Sequence, residues 1–178
     1  MSYNHVPSIK NYWSNHNSLS NESIKSAIRR DRFEQIMSKL YFAPVDKRAD
    51  AGQTYCIDDF MNCLKTTFKA CRDDSSFQSI DEQMTKFKGR SSLKQYMPLK
   101  PVKRGIKMWP RCDSLTGYTY DMSIYCGKEG SVLEGTLGER VVNDLAATIS
   151  NPDVTLCFDR FFTTVNLINN IQYPALGT

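Results

Sequence analysis

Histidine is nearly missing from this 178-residue chain: there are two, His5 and His16, both in a polar opening stretch. The six cysteines, Cys56, Cys63, Cys71, Cys112, Cys126 and Cys157, never stand at C-x-x-C or C-x-x-x-x-C spacing, which argues against a structural zinc site. They read instead as reduced thiols, mostly buried as small hydrophobes. No apolar run approaches the ~20 residues of a membrane span. The start, "MSYNHVPSIKNYWSNHNS", is too polar for a signal peptide. A cytosolic or nuclear location without membrane attachment is the expectation.

Acid is locally absent as well. Nine of the 23 basic residues, and none of the 19 acidic ones, lie between Lys86 and Arg111. The rest of the chain is therefore net acidic. A charge run is most often a solvated face, but this one is of a single sign and carries Phe87, Tyr96 and Trp109 among its cations, which also suits a polyanion such as nucleic acid.

What is present is the composition of a soluble globular protein, 40% hydrophobic and 24% charged. Its length suits one ordinary domain, or a small helical unit beside a mid-sized α/β unit. Helical periodicity begins at Asn21 with Ile24, Ala27 and Ile28 on one face. It restarts at Asp31, with Glu34 as a capping-box partner and Phe33, Ile36, Met37, Leu40 and Tyr41 recurring at helical spacing until Pro44. Ile57, Met61, Leu64 and Phe68 define a further helix. Residues 1–75 are accordingly expected to form a helical region and 76–178 an α/β core. Within that core, "GIKMW" and "GYTYDMSIYCGK" read as strands joined by the "DSLTG" turn. Thr136 and Glu139 open a helix striped by Leu137, Val141, Leu145 and Ile149. Val154 to Phe158 is too short for a helix and reads as a strand buried on both faces. A last helix starts near Thr163 or Thr164, and "YPALGT" looks like the beginning of another strand.

Open α/β sheets place their sites at the carboxyl ends of strands. Asp81 and Asp159 each end an apolar segment, where carboxylates from neighbouring strands could converge. Two such groups repel unless one is protonated or a cation lies between them, and hard Mg2+ or Mn2+ prefers carboxylate oxygens. Beside a basic stretch, this suggests metal-assisted phosphodiester chemistry. The plain alternative is that both aspartates cap strand ends or turns.

The segments "SIDEQMTKFKGRSSLKQYMPLKPVKRGIKMW", "DSLTGYTYDMSIYCGK" and "CFDRFFTT" resemble, in order and spacing, the core of piggyBac-type transposases and the domesticated proteins derived from them. "YWSNHNSL" and "RRDRFEQIMSKLYF" resemble that family's N-terminal helical region. The resemblance implies a fold: an RNase H-like mixed α/β sheet with flanking helices, preceded by a helical region and truncated at its C-terminus. It also implies a nuclear enzyme that cuts and joins DNA with three aspartates and Mg2+ or Mn2+. Asp81 matches the aspartate of the family's "DEQM" and Asp159 the one opening its "D-x-F/Y-F-T", so both are expected as catalytic metal ligands. Lys86, Lys88, Arg90, Lys94, Lys100, Lys103, Arg104 and Lys107 are the expected DNA contacts, and a homodimer is possible.

The sequence departs from the family pattern in several places. No Asp or Glu follows Asp159, so the third family aspartate has no counterpart, and Asp121, Asp144 and Glu134 are expected to face solvent. The family's cysteine-rich zinc module is also missing. Arg160 stands where relatives usually carry Asn. Pro110 stands where they carry an apolar strand residue, and a proline there, lacking a ladder donor, is expected mainly at a sheet edge or strand end. A truncated or domesticated transposase derivative is thus the leading expectation, with a non-catalytic DNA-binding or partner-binding protein as the alternative.

Overall fold

Residues 6–42, 52–127 and 134–178 are described by the computed structural model, and the chain divides into two units, Met1–Pro44 and Val45–Thr178. In the first, a 3-10 turn at Ile9–Trp13 is followed by α1 (Glu22–Ala27) and α2 (Arg30–Ser38). The Asn21 side chain caps α1 by accepting from the Ile24 amide. Asp31 does not cap α2: Arg29 stands at that position without a side-chain cap, and Asp31 pairs with Arg30 at 3.2 Å instead. Trp13 anchors the turn to these helices, donating from Nε1 to Ile28 O at 2.7 Å and stacking at a tilt on Phe33. Ile36, Met37, Leu40 and Tyr41 of the expected apolar stripe are exposed. Pro44 lies outside the described residues.

The second unit is built on β4 (Arg104–Asp113), a strand far longer than "GIKMW" alone suggested. β1 (Phe77–Ile80) and β2 (Gln83–Lys86) run antiparallel to it in one continuous register, with Ile80 opposite Arg111 and Gln83 opposite Met108. Its other side is covered by β3 (Lys94–Tyr96) and, across the "DSLTG" turn, β5 (Thr119–Ile124). Gly117 closes that turn at φ +71°, a conformation that glycine adopts without penalty, while Asp113 Oδ1 accepts from the Leu115 and Thr116 amides. On the far side of β1, β6 (Thr155–Phe158) and then β7 (Ala175–Gly177) add in parallel. The sheet therefore runs β5-β4-β1-β6-β7 across its width, antiparallel in one half and parallel in the other.

Parallel neighbours need crossover connections, and two helices supply them: α4 (Leu137–Ala146) between β5 and β6, and α5 (Val165–Asn170) between β6 and β7. Thr136 and Glu139 form the expected capping box on α4, and Thr164 caps α5 by accepting from the Leu167 amide. Val141, Val142, Leu145 and Ala146 of α4, with Leu167 of α5, pack on Ile80, Trp109, Val154, Leu156, Phe158 and Phe162. Each of the buried Val, Leu, Ile and Phe side chains contributes about 1.5–3 kcal/mol. Gly138 allows α4 to approach the turn after β6, since a Cβ there would lie 2.8 Å from Phe161 O. A further helix, α3 (Asp58–Cys71), read above as part of the N-terminal helical region, belongs to this second unit. Tyr118 donates from Oη to Phe68 O at 2.7 Å, fixing α3 to the sheet.

Three sequence expectations change here. Pro110 lies inside β4, with strands on both sides, opposite Asp81 and Met122. It is tolerated because it falls where β1 has ended and β2 has not begun. The cysteines are free thiols but not buried: four are exposed and two half-buried. Asp121 is buried, 2% exposed, whereas Asp144 and Glu134 are exposed. Asp121 can be buried because Lys65 from α3 pairs with it at 3.1 Å and Thr148 Oγ1 donates to it at 2.7 Å.

Candidate functional site

Because Ile80 pairs with Phe158 across parallel β1 and β6, the next residue on each strand, Asp81 and Asp159, leaves the sheet at the same level. Neighbouring strands run ~4.8 Å apart, so the two carboxylates start from adjacent positions. Gly177 of β7 pairs with Phe158 from the other side. The three strand ends border an open, mainly apolar cleft of about 390 Å³, lined by Ile80, Asp81, Phe158, Asp159, Leu176 and Thr178 among others.

Each aspartate is also held by its own loop. Asp81 Oδ1 accepts from the Glu82 amide at 2.6 Å, and Asp159 Oδ1 from the Phe161 amide at 2.9 Å. The Asp159 carbonyl accepts from the Phe162 and Thr163 amides and the Thr163 hydroxyl, which folds "DRFFT" into a tight turn. The turn-capping alternative is thus present in the structure, and it leaves the second oxygen of each carboxylate without a partner among the described residues. Two such oxygens, hard and anionic, on exposed side chains at adjacent strand ends, fit a divalent cation of the Mg2+ class, which completes its shell with water. Among the described residues, no cluster of three or more His, Cys, Asp or Glu side chains is placed to hold a metal.

The basic stretch divides in two. Lys86, Lys88, Arg90, Lys103 and Arg104 are exposed on and around β2, β3 and the start of β4. Arg104 stacks 5.2 Å above the exposed Tyr96 ring, and Lys94 donates to Gly89 O at 3.0 Å. Lys100 and Lys107 instead pair with Glu82, at 3.5 and 2.5 Å. Lys107 keeps only 13% side-chain exposure, so its charge is turned inward.

Arg111, the last cation of the run, is fully buried. It donates to Asp74 at 3.0 Å, to Gln78 Oε1 and to Thr148 Oγ1. Thr148 passes the chain on to Asp121 and so to Lys65. Burial works against the charge of Asp74, but the Ser150 amide, the Arg111 guanidinium and the Gln78 amide outweigh it and hold the carboxyl below its ordinary value. For Asp121 burial is likewise outweighed, by the Thr148 hydroxyl, Lys65 and the Met122 amide. Sequence reasoning missed this network. A lone arginine inside the apolar strand "MWPRCD" was its one visible signal, because a charge in such a place needs a buried partner.

A mixed sheet in this order, flanked by helices and carrying carboxylates just beyond the ends of β1 and β6, defines the class: an RNase H-like core of the transposase type. A family model described as transposase IS4 matches residues 1–174. The chain belongs to that family, in its piggyBac-type branch. It is 28% identical to human piggyBac transposable element-derived protein 3 over 190 aligned residues, covering 99% of this chain and 31% of the relative. With human piggyBac transposable element-derived protein 2 the identity is 32%, covering 99% and 31%. A piggyBac transposase, solved by cryo-electron microscopy as a synaptic complex with hairpin DNA, superposes with a TM-score of 0.78 at 26% identity. That match covers 90% of this chain and 34% of the transposase. The chain spans about a third of the length of these relatives. DNA transposition is the activity of the family as a whole.

Proposed function

We propose that this chain carries part of a metal-dependent DNA cleavage and strand-transfer site, with Asp81 and Asp159 as two of its metal-holding carboxylates. The observation that carries the reading is the level emergence of the two aspartates from β1 and β6, each with one oxygen anchored and one free. The local amides orient the carboxylates before any ligand arrives, which lowers the cost of organising the site. A divalent cation bound there would supply the Lewis acid that phosphodiester cleavage and strand transfer require. The exposed cations Lys86, Lys88, Arg90, Lys103 and Arg104 would follow the phosphates of the DNA beside it.

The test is nicking of a terminal-repeat duplex by the 178-residue chain in Mg2+ or Mn2+, with Asp81→Ala and Asp159→Ala as controls. Metal-dependent nicking lost in both variants supports the reading, whereas nicking that survives in either one counts against it.

A second reading, DNA binding without catalysis, is favoured by the same five cations, which have no carboxylate partner among the described residues. Affinity for duplex DNA would then fall by about 0.9 log units per log unit of salt for each phosphate neutralised. Lys88→Ala would flatten the slope by about one such contact while leaving sequence preference unchanged. Binding indifferent to salt would remove this reading.

A further inference from the structure

Among the described residues Lys107 pairs with neither aspartate, yet its side chain gathers the residues that hold both. Its ammonium lies 2.5 Å from Glu82 Oε2 and 5.2 Å from the centre of the Phe161 ring. Glu82 and Phe161 are the two residues whose backbone amides donate to Asp81 and Asp159. The Trp109 and Tyr125 rings, each 5.4 Å from the ammonium and edge-on to one another, close the remaining sides. A cation among three aromatic faces and one carboxylate, with little solvent, is held from several directions at once.

The sheet explains why this happens. In an antiparallel pair, residues directly opposite share a face and successive residues alternate. Glu82 continues the register that sets Met84 against Lys107, and so stands opposite Trp109, on the face of Lys107 and Trp109. Phe161 reaches the same face from the turn after β6, while its neighbour Phe162 is buried in the core.

We infer that Lys107 is a positioning residue for the Asp81–Asp159 pair, tying the turn after β1 to the turn after β6 through Glu82 and Phe161. The inference rests on the reading of the two aspartates as metal-holding groups. With Lys107 in place, the two anchoring amides are referred to one point, and the spacing of the carboxylates is set by the sheet and this tie together. Lys100 also pairs with Glu82, at 3.5 Å and from a more exposed position, but only the Lys107 ammonium is fixed in place by the surrounding rings.

The experiment uses the full 178-residue chain and two NMR measurements. The first is amide hydrogen exchange at Glu82 and Phe161, with the core amide of Leu145 as internal reference. The second is the Mn2+ concentration at which those two signals broaden, with Asp81→Asn and Asp159→Asn defining what is specific. Lys107→Met keeps the length and apolar contacts of the stem and removes the charge. It is expected to speed exchange at both amides about tenfold with Leu145 unchanged, and to raise the Mn2+ midpoint by about tenfold or more. Lys107→Arg should restore most of both. Glu82→Gln removes the ion pair with little change in shape and should reproduce the effect at Glu82, which keeps the test open if Lys107→Met folds poorly.

Unchanged exchange in Lys107→Met and Glu82→Gln overturns the inference. So does faster exchange with an unchanged Mn2+ midpoint. Absence of any aspartate-dependent Mn2+ broadening in the unaltered chain, with exchange still responding to Lys107, would instead sink the metal reading and leave the tie between the two turns standing.

Discussion

Asp81 donates its amide to Pro110 O at 3.5 Å, and Pro110 has no N–H to return. One half of a ladder pair is therefore missing at the residue read as a metal ligand. The two residues between β1 and β2, Asp81 and Glu82, fall opposite Pro110 and Trp109. Pro110→Val would supply the absent donor. The new amide at position 110 is expected to be protected from exchange, and stability to change by only about 0–1 kcal/mol, since the added hydrogen bond is offset by the greater freedom of the unfolded chain. An unprotected amide at that position would show that the strand break has another cause.

Arg111 should matter more for stability than any other cation of the basic stretch. It is buried and serves Asp74, Gln78 and Thr148 together. Arg111→Met fits the space but strands a largely buried Asp74 carboxylate. The expected loss is about 3–5 kcal/mol, read from urea midpoints. A loss below about 1 kcal/mol would place Arg111 with ordinary surface pairs.

The same network sets a pH dependence. Burial of Asp74 is outweighed by Ser150, Arg111 and Gln78, and burial of Asp121 by Thr148, Lys65 and Met122, so both carboxyls lie below the ordinary aspartate value when folded. The unfolded chain then binds more protons than the folded one. Stability from these groups is complete above the unfolded value of about 3.9 and is lost as pH falls through the lower folded values. Glu139 acts in the same sense, lowered by the Thr164 hydroxyl and the Thr136 amide. Urea midpoints should fall as the pH drops below about 4, and less steeply in Arg111→Met. A flat profile over that range would contradict the assignment.

Gly138 tests how closely α4 supports the turn that carries Asp159. Its Cβ in an alanine variant would lie 2.8 Å from Phe161 O and 2.9 Å from Phe162 Cα, both backbone atoms. Gly138→Ala is expected to cost about 1–3 kcal/mol in thermal or urea unfolding. It should also shift the amide signals of Phe161 to Thr163 well beyond those of β4. Full stability with an unmoved turn would mean the helix can retreat without consequence.

Much of this was legible in the chain itself. The capping box at Thr136 and Glu139, the "DSLTG" hairpin, the short strand ending at Phe158 and the positions of Asp81 and Asp159 at strand ends follow from local pattern, and the structure keeps them. Local pattern works there because caps, turns and strand ends are decided by neighbours within a few residues. Asp121 illustrates where it fails. Alternation put it on a polar face, but α3 brings Lys65 and the segment after α4 brings Thr148 to close over it.

The sequence alone determined the helices, the hairpin and the later strands, the family pattern and the two candidate carboxylates, because these depend on spacing along the chain, whereas β2 and β3 were not legible in it. Only the tertiary structure decided which charges face solvent. Lys107 and Arg111 look like their neighbours in the basic stretch, and long-range strand pairing with Glu82 and Asp74 nearby turned them inward. Burial of an ion is set by the partners that folding brings to it, and those partners lie on other strands and loops.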